Sequence, residues 1–449
     1  MSAGALFSPL PEGARPPTIV AIAMGYGHLR PAHALAEYLG QAVLHADRPP
    51  LADTEEQQGW ARLRRVYDAV SQVSTTPFLG RPFGALLDSV TAIPRLHPFR
   101  DLSSPNLPVY LLSLSARFGL GRTMAAYLEE HDASLLTTFY APALFADFHG
   151  CDRIYCVVTD SDVQRVWAPS NAHQSKIHYF APSGRVVRRL RAYGVNKDQI
   201  DFTGFPLPHS LVGGPSFDAL HTNLAARLAR LDPRGAFRQR YAQEVQQLGA
   251  APRTTNPPLL TFAVGGAGAQ ADLPGHFLPS LAPLLRAGKI RVALVAGVRS
   301  SVLDLFHQQL DQVGLTPCIG DTVELCHDAN VFRYFERFNQ LLSRTDVLWT
   351  KPSELVFFAA LGMPLLLSSP VGRHETYNQR WALENGAALR QRDPRFVSEW
   401  LSEWLTDGTL AATAWAGYKR LPHRGLYRIV ERLGDPSRWP RASVAPLPL

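Results

Sequence analysis

Four cysteines in 449 residues leave little for redox or structural-metal chemistry to use. Cys151, Cys156, Cys318 and Cys326 form no Cys-x-x-Cys pair, and no histidine stands at zinc-finger spacing from them. Buried free thiols are therefore expected, with no disulfide framework and no metal. No stretch approaches the roughly 20 uninterrupted apolar residues that span a bilayer. The opening segment, MSAGALFSPLPEGARPP, lacks the basic start and long apolar run of a signal peptide. A cytoplasmic location is expected, with peripheral attachment to the inner membrane face left open. No Gly-Lys-Ser/Thr follows a glycine turn, and the turn GYGHLR lacks the third glycine of G-x-G-x-x-G. A P-loop and a dinucleotide fingerprint are both set aside.

What is present is a folded chain. Apolar residues make up 46% and aromatics 10%, and the length calls for about two or three domains. Lysine and arginine exceed the acids by 45 to 38, a formal charge of +7. The excess gathers at Arg62, Arg64 and Arg65, at Arg185, Arg188, Arg189 and Arg191, and at Arg420, Arg424 and Arg428. Such clusters suit nucleotide phosphates or acidic lipid headgroups; the plainer alternative is solvated helix faces.

Two halves each open with a strand and a glycine turn. TIVAIAM runs into GYGH and a helical pattern opening at Pro31, and PLLTFAV (258–264) runs into GGAGAQ. Further continuous apolar runs at 153–160, 176–182, 290–297, 346–351 and 363–369 fit parallel strands buried on both faces. Helical patterns separate them, so two doubly wound α/β domains are predicted. The expected boundaries are 1–209 for the first domain, 210–257 for a helical insert and linker, 258–432 for the second domain and 433–449 for a Pro-rich tail. Segments FGALLDSV and LPVYLLSLSARFGLG are apolar enough for an acceptor or membrane-facing patch, with core burial as the alternative.

Both glycine turns fall where a strand hands over to a helix, an edge at which backbone N–H groups approach anionic ligands. GYGHLRPAHALAEYL resembles the N-terminal signature of GT-B glycosyltransferases of the group containing the monogalactosyldiacylglycerol synthases and the peptidoglycan lipid-intermediate N-acetylglucosaminyltransferase (family 28 and relatives). VVTD with Trp167, APSGRVVRRLRAYGVNKDQIDFTGFPL, VGGAGAQ and TKPSELVFFAALGMPLLLSSPVGRHETYNQRWALENGAA recur in that group's order. The resemblance implies two Rossmann-like domains facing across a cleft. It also implies sugar transfer from a nucleotide diphosphate, usually UDP, to a lipid-linked or other hydroxyl acceptor, without a further cofactor. A nonhydrolysing nucleotide-sugar epimerase, or a GT-B protein that binds without catalysis, are the alternatives. A lipid acceptor at an anionic membrane surface would be the partner; nucleic acid is not expected.

Residue by residue, the resemblance makes His28 the base for the acceptor hydroxyl, with fixing of the turn by a backbone hydrogen bond as the alternative. Gly25 and Gly27 would admit substrate. Asp160 would orient His28 or take the proton itself, while Asp162 would act there or cap the next segment. Arg165 stands on the acceptor side, about where the diacylglycerol enzymes carry a histidine. Gly265, Gly266, Gly268 and Gln270 would hold the diphosphate by backbone N–H groups, with Lys351 as a point charge. Ser353 and Glu354 open a helix beside the ribose and phosphates, or serve as its cap and first-turn acid. The group's ribose glutamate falls one turn later, at Phe357. His374, Glu375 and Asn378 would face the donor sugar, or dress a helix N-terminus.

Overall fold

The computed structural model describes residues 10, 15–23, 25–73, 93–248, 256–266 and 268–434. The chain forms two compact units. The first comprises residues 1–207 with 372–374 and 424–449; the second comprises 208–371 and 375–423.

In the first unit, the apolar runs become parallel strands because each is flanked by helices on both faces of one sheet. The strands are β1 (Thr18–Ala21), β2 (Val43–His45), β3 (Leu135–Thr137), β4 (Ile154–Val157), β5 (Ile177–Ala181) and β6 (Ile200–Phe202). Their order is β2-β1-β3-β4-β5-β6. The chain therefore leaves β1 to one side for β2 and returns on its other side as β3. That reversal is a topological switch point, where open α/β sheets place ligands beyond the strands' carboxyl ends.

The second unit repeats the plan with β7 (Leu259–Ala263), β8 (Arg291–Gly297), β9 (Val323–His327), β10 (Val347–Thr350), β11 (Leu365–Leu367) and β12 (Ala388–Arg390). The order β12-β11-β10-β7-β8-β9 puts its switch point between β7 and β10. These two strands are buried along their whole length. Two doubly wound Rossmann-like units, the α/β architecture of GT-B proteins, are thus present.

Several local readings change. The first helix spans Tyr26–Leu39, with Pro31 inside it rather than at its start. Proline there removes the N–H that would bond the carbonyl of Gly27 and sets its ring against that carbonyl, near the helix's N-terminus. Residues 210–257 are no separate insert up to the described limit. Helix Asp218–Leu231 buries Leu220, Leu224, Leu228 and Leu231 in the second unit. Its buried Arg227 donates to the carbonyls of Thr345 (2.7 Å) and Leu361 (2.8 Å), at the ends of two helical segments. Burial lowers that guanidinium to about 10. Arg230 beside it holds the fully buried Asp346 at 2.8 Å. Helix Gly425–Gly434, expected in the second domain, packs in the first. Its buried Leu426, Tyr427, Ile429 and Val430 give it an apolar face, and Arg432 reaches Asp201 at 3.0 Å. The segment FGALLDSV and the tail from 435 onward lie outside the described residues.

Candidate functional site

The switch point of the first sheet is closed by His28. Gly25 caps the helix that follows β1 with φ +108°, a conformation that strains any L side chain. Gly27 is already inside the helix, so the turn itself depends on Gly25. His28, in the helix's first turn, places Nδ1 2.9 Å from the carbonyl oxygen of Thr138, just beyond β3. The same nitrogen lies 3.1 Å from the hydroxyl of Thr159, just beyond β4. Thr138 returns a bond, its hydroxyl donating to the His28 carbonyl at 2.7 Å. A carbonyl only accepts, so Nδ1 carries the hydrogen, and in the neutral ring the lone pair sits on Nε2. Phe139 meets the ring edge-on at 4.6 Å. The backbone hydrogen bond of the alternative reading is thus present, and it sets the tautomer a base acting through Nε2 requires. At Nδ1 the ring is held by Thr138 and Thr159.

Asp160 is half-buried at the end of the same segment. Asp160, Ser161 and Asp162 spell an Asp-x-Asp, a motif that the expectation of a metal-free reaction took to be absent from the sequence; its presence corrects that expectation of absence. The second acid is committed elsewhere: Arg189 donates to Asp162 through Nε at 2.9 Å and Nη2 at 3.0 Å. The two side chains are 1% and 2% exposed. Asp162 also accepts from the N–H of Val163 (2.9 Å). Arg189 therefore belongs neither to a solvated helix face nor to a membrane-facing patch; of that cluster Arg191 alone is fully exposed. Arg165 also turns inward. It is 4% exposed, and its guanidinium donates to the carbonyls of Ser103 (2.6 Å), Ala168 and Pro169 (3.0 Å). Its acceptor-side reading gives way to a brace for the loop before helix Leu107–Arg117.

In the second unit, the residues that the sequence singled out converge at the carboxyl edge between β7 and β10. Gly265 and Gly266 follow β7 and Lys351 follows β10. A Cβ at Gly265 would collide with Lys351 Cε and lie 3.2 Å from Nζ. The lysine stem thus lies on the glycine backbone, and a side chain there would push the end of the lysine aside. Gly268 is at φ +74°, and a Cβ there would stand 3.4 Å from Cδ of Arg299 and 3.3 Å from Val302. Arg299, after β8, donates from Nε to the Gly266 carbonyl at 2.9 Å. The sequence reading missed it. Its signal was a basic residue at the carboxyl end of the strand beside the glycine loop, in VAGVRSS.

Lys351 is not free: its Nζ pairs with Glu375, whose other oxygen accepts from the N–H of Val371 at 2.8 Å. Glu375 is 1% exposed, so in this arrangement it neutralises the lysine instead of facing a sugar. Gln270, at φ +67°, donates to the Ser369 carbonyl (2.8 Å) and accepts from the Ser368 hydroxyl. Its side chain thereby ties the glycine loop to the end of β11. Asn378 is fully buried and donates to the Pro352 carbonyl at 3.3 Å. Like Glu375, it is turned to the protein. Ser353 makes no side-chain cap, and Glu354 opens a 3-10 helix, Glu354–Leu361, buried at every position. Phe357 is 3% exposed and packs on Trp381 at 5.1 Å, so a core contact occupies the place of the group's ribose glutamate. His374 is exposed in the first turn of helix Arg373–Glu384. Among the described residues, no three His, Cys, Asp or Glu side chains are grouped to hold a metal ion.

A family model described as a domain of unknown function (DUF6938) matches residues 250–414. No curated protein matches the chain in sequence. Among solved structures, the chain is similar to a putative UDP-N-acetylglucosamine 2-epimerase from Listeria monocytogenes, at 10% identity and TM-score 0.47, covering 92% of this chain and 94% of that one. It is also similar to MurG of Acinetobacter baumannii, at 14% identity and TM-score 0.42, with 92% and 98% covered. The glycosyltransferase SnogD from Streptomyces nogalater gives 13% identity and TM-score 0.45, with 92% and 97% covered.

Proposed function

We propose that this chain is a glycosyltransferase that moves a sugar from a nucleoside-diphosphate donor, a UDP-sugar by resemblance, to a hydroxyl acceptor. The observation that carries the reading is Lys351 laid on Gly265 at the switch point of the second sheet. A cation and close-approach backbone at a strand's carboxyl edge are what a diphosphate needs. In the reaction, the acceptor oxygen bonds to the anomeric carbon of the sugar. The carbon–oxygen bond to the diphosphate breaks, and its electron pair leaves with the nucleoside diphosphate. The resemblance gives His28, in the first unit, the part of base for the acceptor's proton; within the second unit, backbone N–H groups of the glycine loop and Lys351 stabilise the charge on the leaving group. Neutralisation by these groups accounts for the step without a metal. Release of Lys351 by Glu375 would accompany donor binding, freeing the carboxylate for a sugar hydroxyl.

A lipid-linked acceptor is supported by helix Leu107–Arg117, where Leu107, Tyr110, Leu111 and Leu114 form an exposed stripe at helical spacing while Val109, Leu112 and Ala116 are buried. Arg117 and Arg122 are exposed beside it, the combination that suits an anionic bilayer surface. Among the described residues no helix is long and apolar enough to cross a membrane.

The test is turnover of a panel of nucleotide sugars, following nucleoside diphosphate release with and without detergent-dispersed glycolipid acceptors. Acceptor-dependent release is the expected result. Interconversion of the sugar without any acceptor would replace the reading by epimerisation, and binding without consumption would leave a non-catalytic binder.

A further inference from the structure

We propose that Arg299, rather than Lys351, is the cation that first engages the donor's diphosphate, and that it shapes the glycine loop for that purpose. The proposal rests on the donor-site reading above. Three observations carry it. Lys351 is already neutralised by Glu375, a carboxylate 1% exposed, so that pair presents no net charge to an arriving anion. Arg299 is exposed, and its sole hydrogen bond among the described residues runs from Nε to the Gly266 carbonyl at 2.9 Å. Its two terminal nitrogens therefore keep the paired N–H donors that match two phosphate oxygens. Finally, the arginine stem runs against the loop: its Cδ lies 3.4 Å from where a Cβ on Gly268, at φ +74°, would stand, which seats the guanidinium beside the loop.

One guanidinium thus does two things. Nε holds the Gly266 carbonyl, and the terminal nitrogens are thereby kept in a set orientation beside the loop. Lysine could supply the charge at this position but not both contacts.

Calorimetric titration of the full chain with nucleoside diphosphates, and displacement by inorganic pyrophosphate, tests the assignment. Arg299→Ala is expected to weaken diphosphate binding about tenfold or more, the scale of a lost charge-assisted pair. It should abolish displacement by pyrophosphate while leaving the thermal midpoint where it was. Arg299→Lys should recover part of the loss, and Lys351→Ala should cost less than Arg299→Ala. Diphosphate and pyrophosphate affinities unchanged in Arg299→Ala would overturn the assignment, as would a larger loss in Lys351→Ala. A fall in thermal midpoint parallel to the loss of binding would make Arg299 a structural brace and overturn it too. If the wild-type chain binds no nucleoside diphosphate, the donor-site reading falls together with the assignment. If the wild type binds and Arg299→Ala binds equally, the assignment alone falls.

Discussion

The Nδ1 of His28 lies 2.9 Å from the carbonyl oxygen of Thr138, a bond that joins the helix after β1 to the end of β3 across the first sheet's switch point. One contact decides the ring's tautomer, its orientation and the position of the helix's first turn. Removing the ring should therefore separate chemistry from donor binding. His28→Ala is expected to lower turnover by about 100-fold or more, the range of a lost general base, with donor affinity unchanged. Thr159→Val, which removes the hydroxyl 3.1 Å away, should cost only several-fold, because the Thr138 carbonyl still holds Nδ1. Steady-state rates alongside calorimetric affinities check both.

In the second unit, the competition between carboxylate and phosphate for Lys351 gives opposite signs for two substitutions. Glu375→Gln removes the charge that neutralises Lys351, so nucleoside diphosphate affinity should rise severalfold while sugar turnover falls. Gly265→Ala drives a methyl into the lysine stem, and the same affinity should fall, though by less than in Arg299→Ala, with the lysine displaced. Titrations of the two variants against wild type decide this, and a common sign for both would contradict the competition.

The pair of Asp162 and Arg189 is a stability element. With both side chains buried, Asp162→Ala leaves a guanidinium without its counter-charge and should destabilise the fold by about 3–5 kcal/mol. The double variant Asp162→Ala, Arg189→Met should recover much of that loss, since no buried charge remains. Denaturant midpoints of the three proteins test the coupling.

Acid sensitivity should trace in part to His45, at the end of β2. Desolvation first, then Arg48 and Arg64, lower its pKa from the usual histidine value, with Asp47 opposing. The unfolded chain then binds a proton more readily than the folded one, so stability falls as pH drops below about 6.5. His45→Gln removes this contribution, and its loss of thermal midpoint between pH 7.5 and 5 should be smaller than that of wild type.

Much of the fold was legible because buried parallel strands announce themselves as unbroken apolar runs. TIVAIAM, RIYCVVTD, KIHYFAP, PLLTFAV, IRVALVAG, DVLWTK and MPLLLSS each contain a strand. The five strands not anticipated include β2, β3, β6 and β12, which are three residues long, too short to show a pattern of their own. β9 has its apolar residues interrupted by Glu324 and ended by His327 and sits last in its sheet. Long-range pairing hid the roles of the arginines. Nothing in GRVVRRLRAYG marks Arg189 as the one that turns inward to Asp162, 27 positions away, or marks Arg227 as a collector of helix-end carbonyls. The glycine loop was read as a place where a ligand's diphosphate approaches the backbone. What approaches it in the structure is the protein's own Lys351 and Arg299, a partnership that spacing along the chain cannot reveal.

A diphosphate site at the carboxyl edge between β7 and β10 can be tested by titrating the wild-type chain with UDP, GDP, ADP, CDP and dTDP, each against its nucleoside. Micromolar binding of one diphosphate is expected, with the unphosphorylated nucleoside far weaker. Absence of binding by every diphosphate, or equal binding of diphosphate and nucleoside, would contradict it.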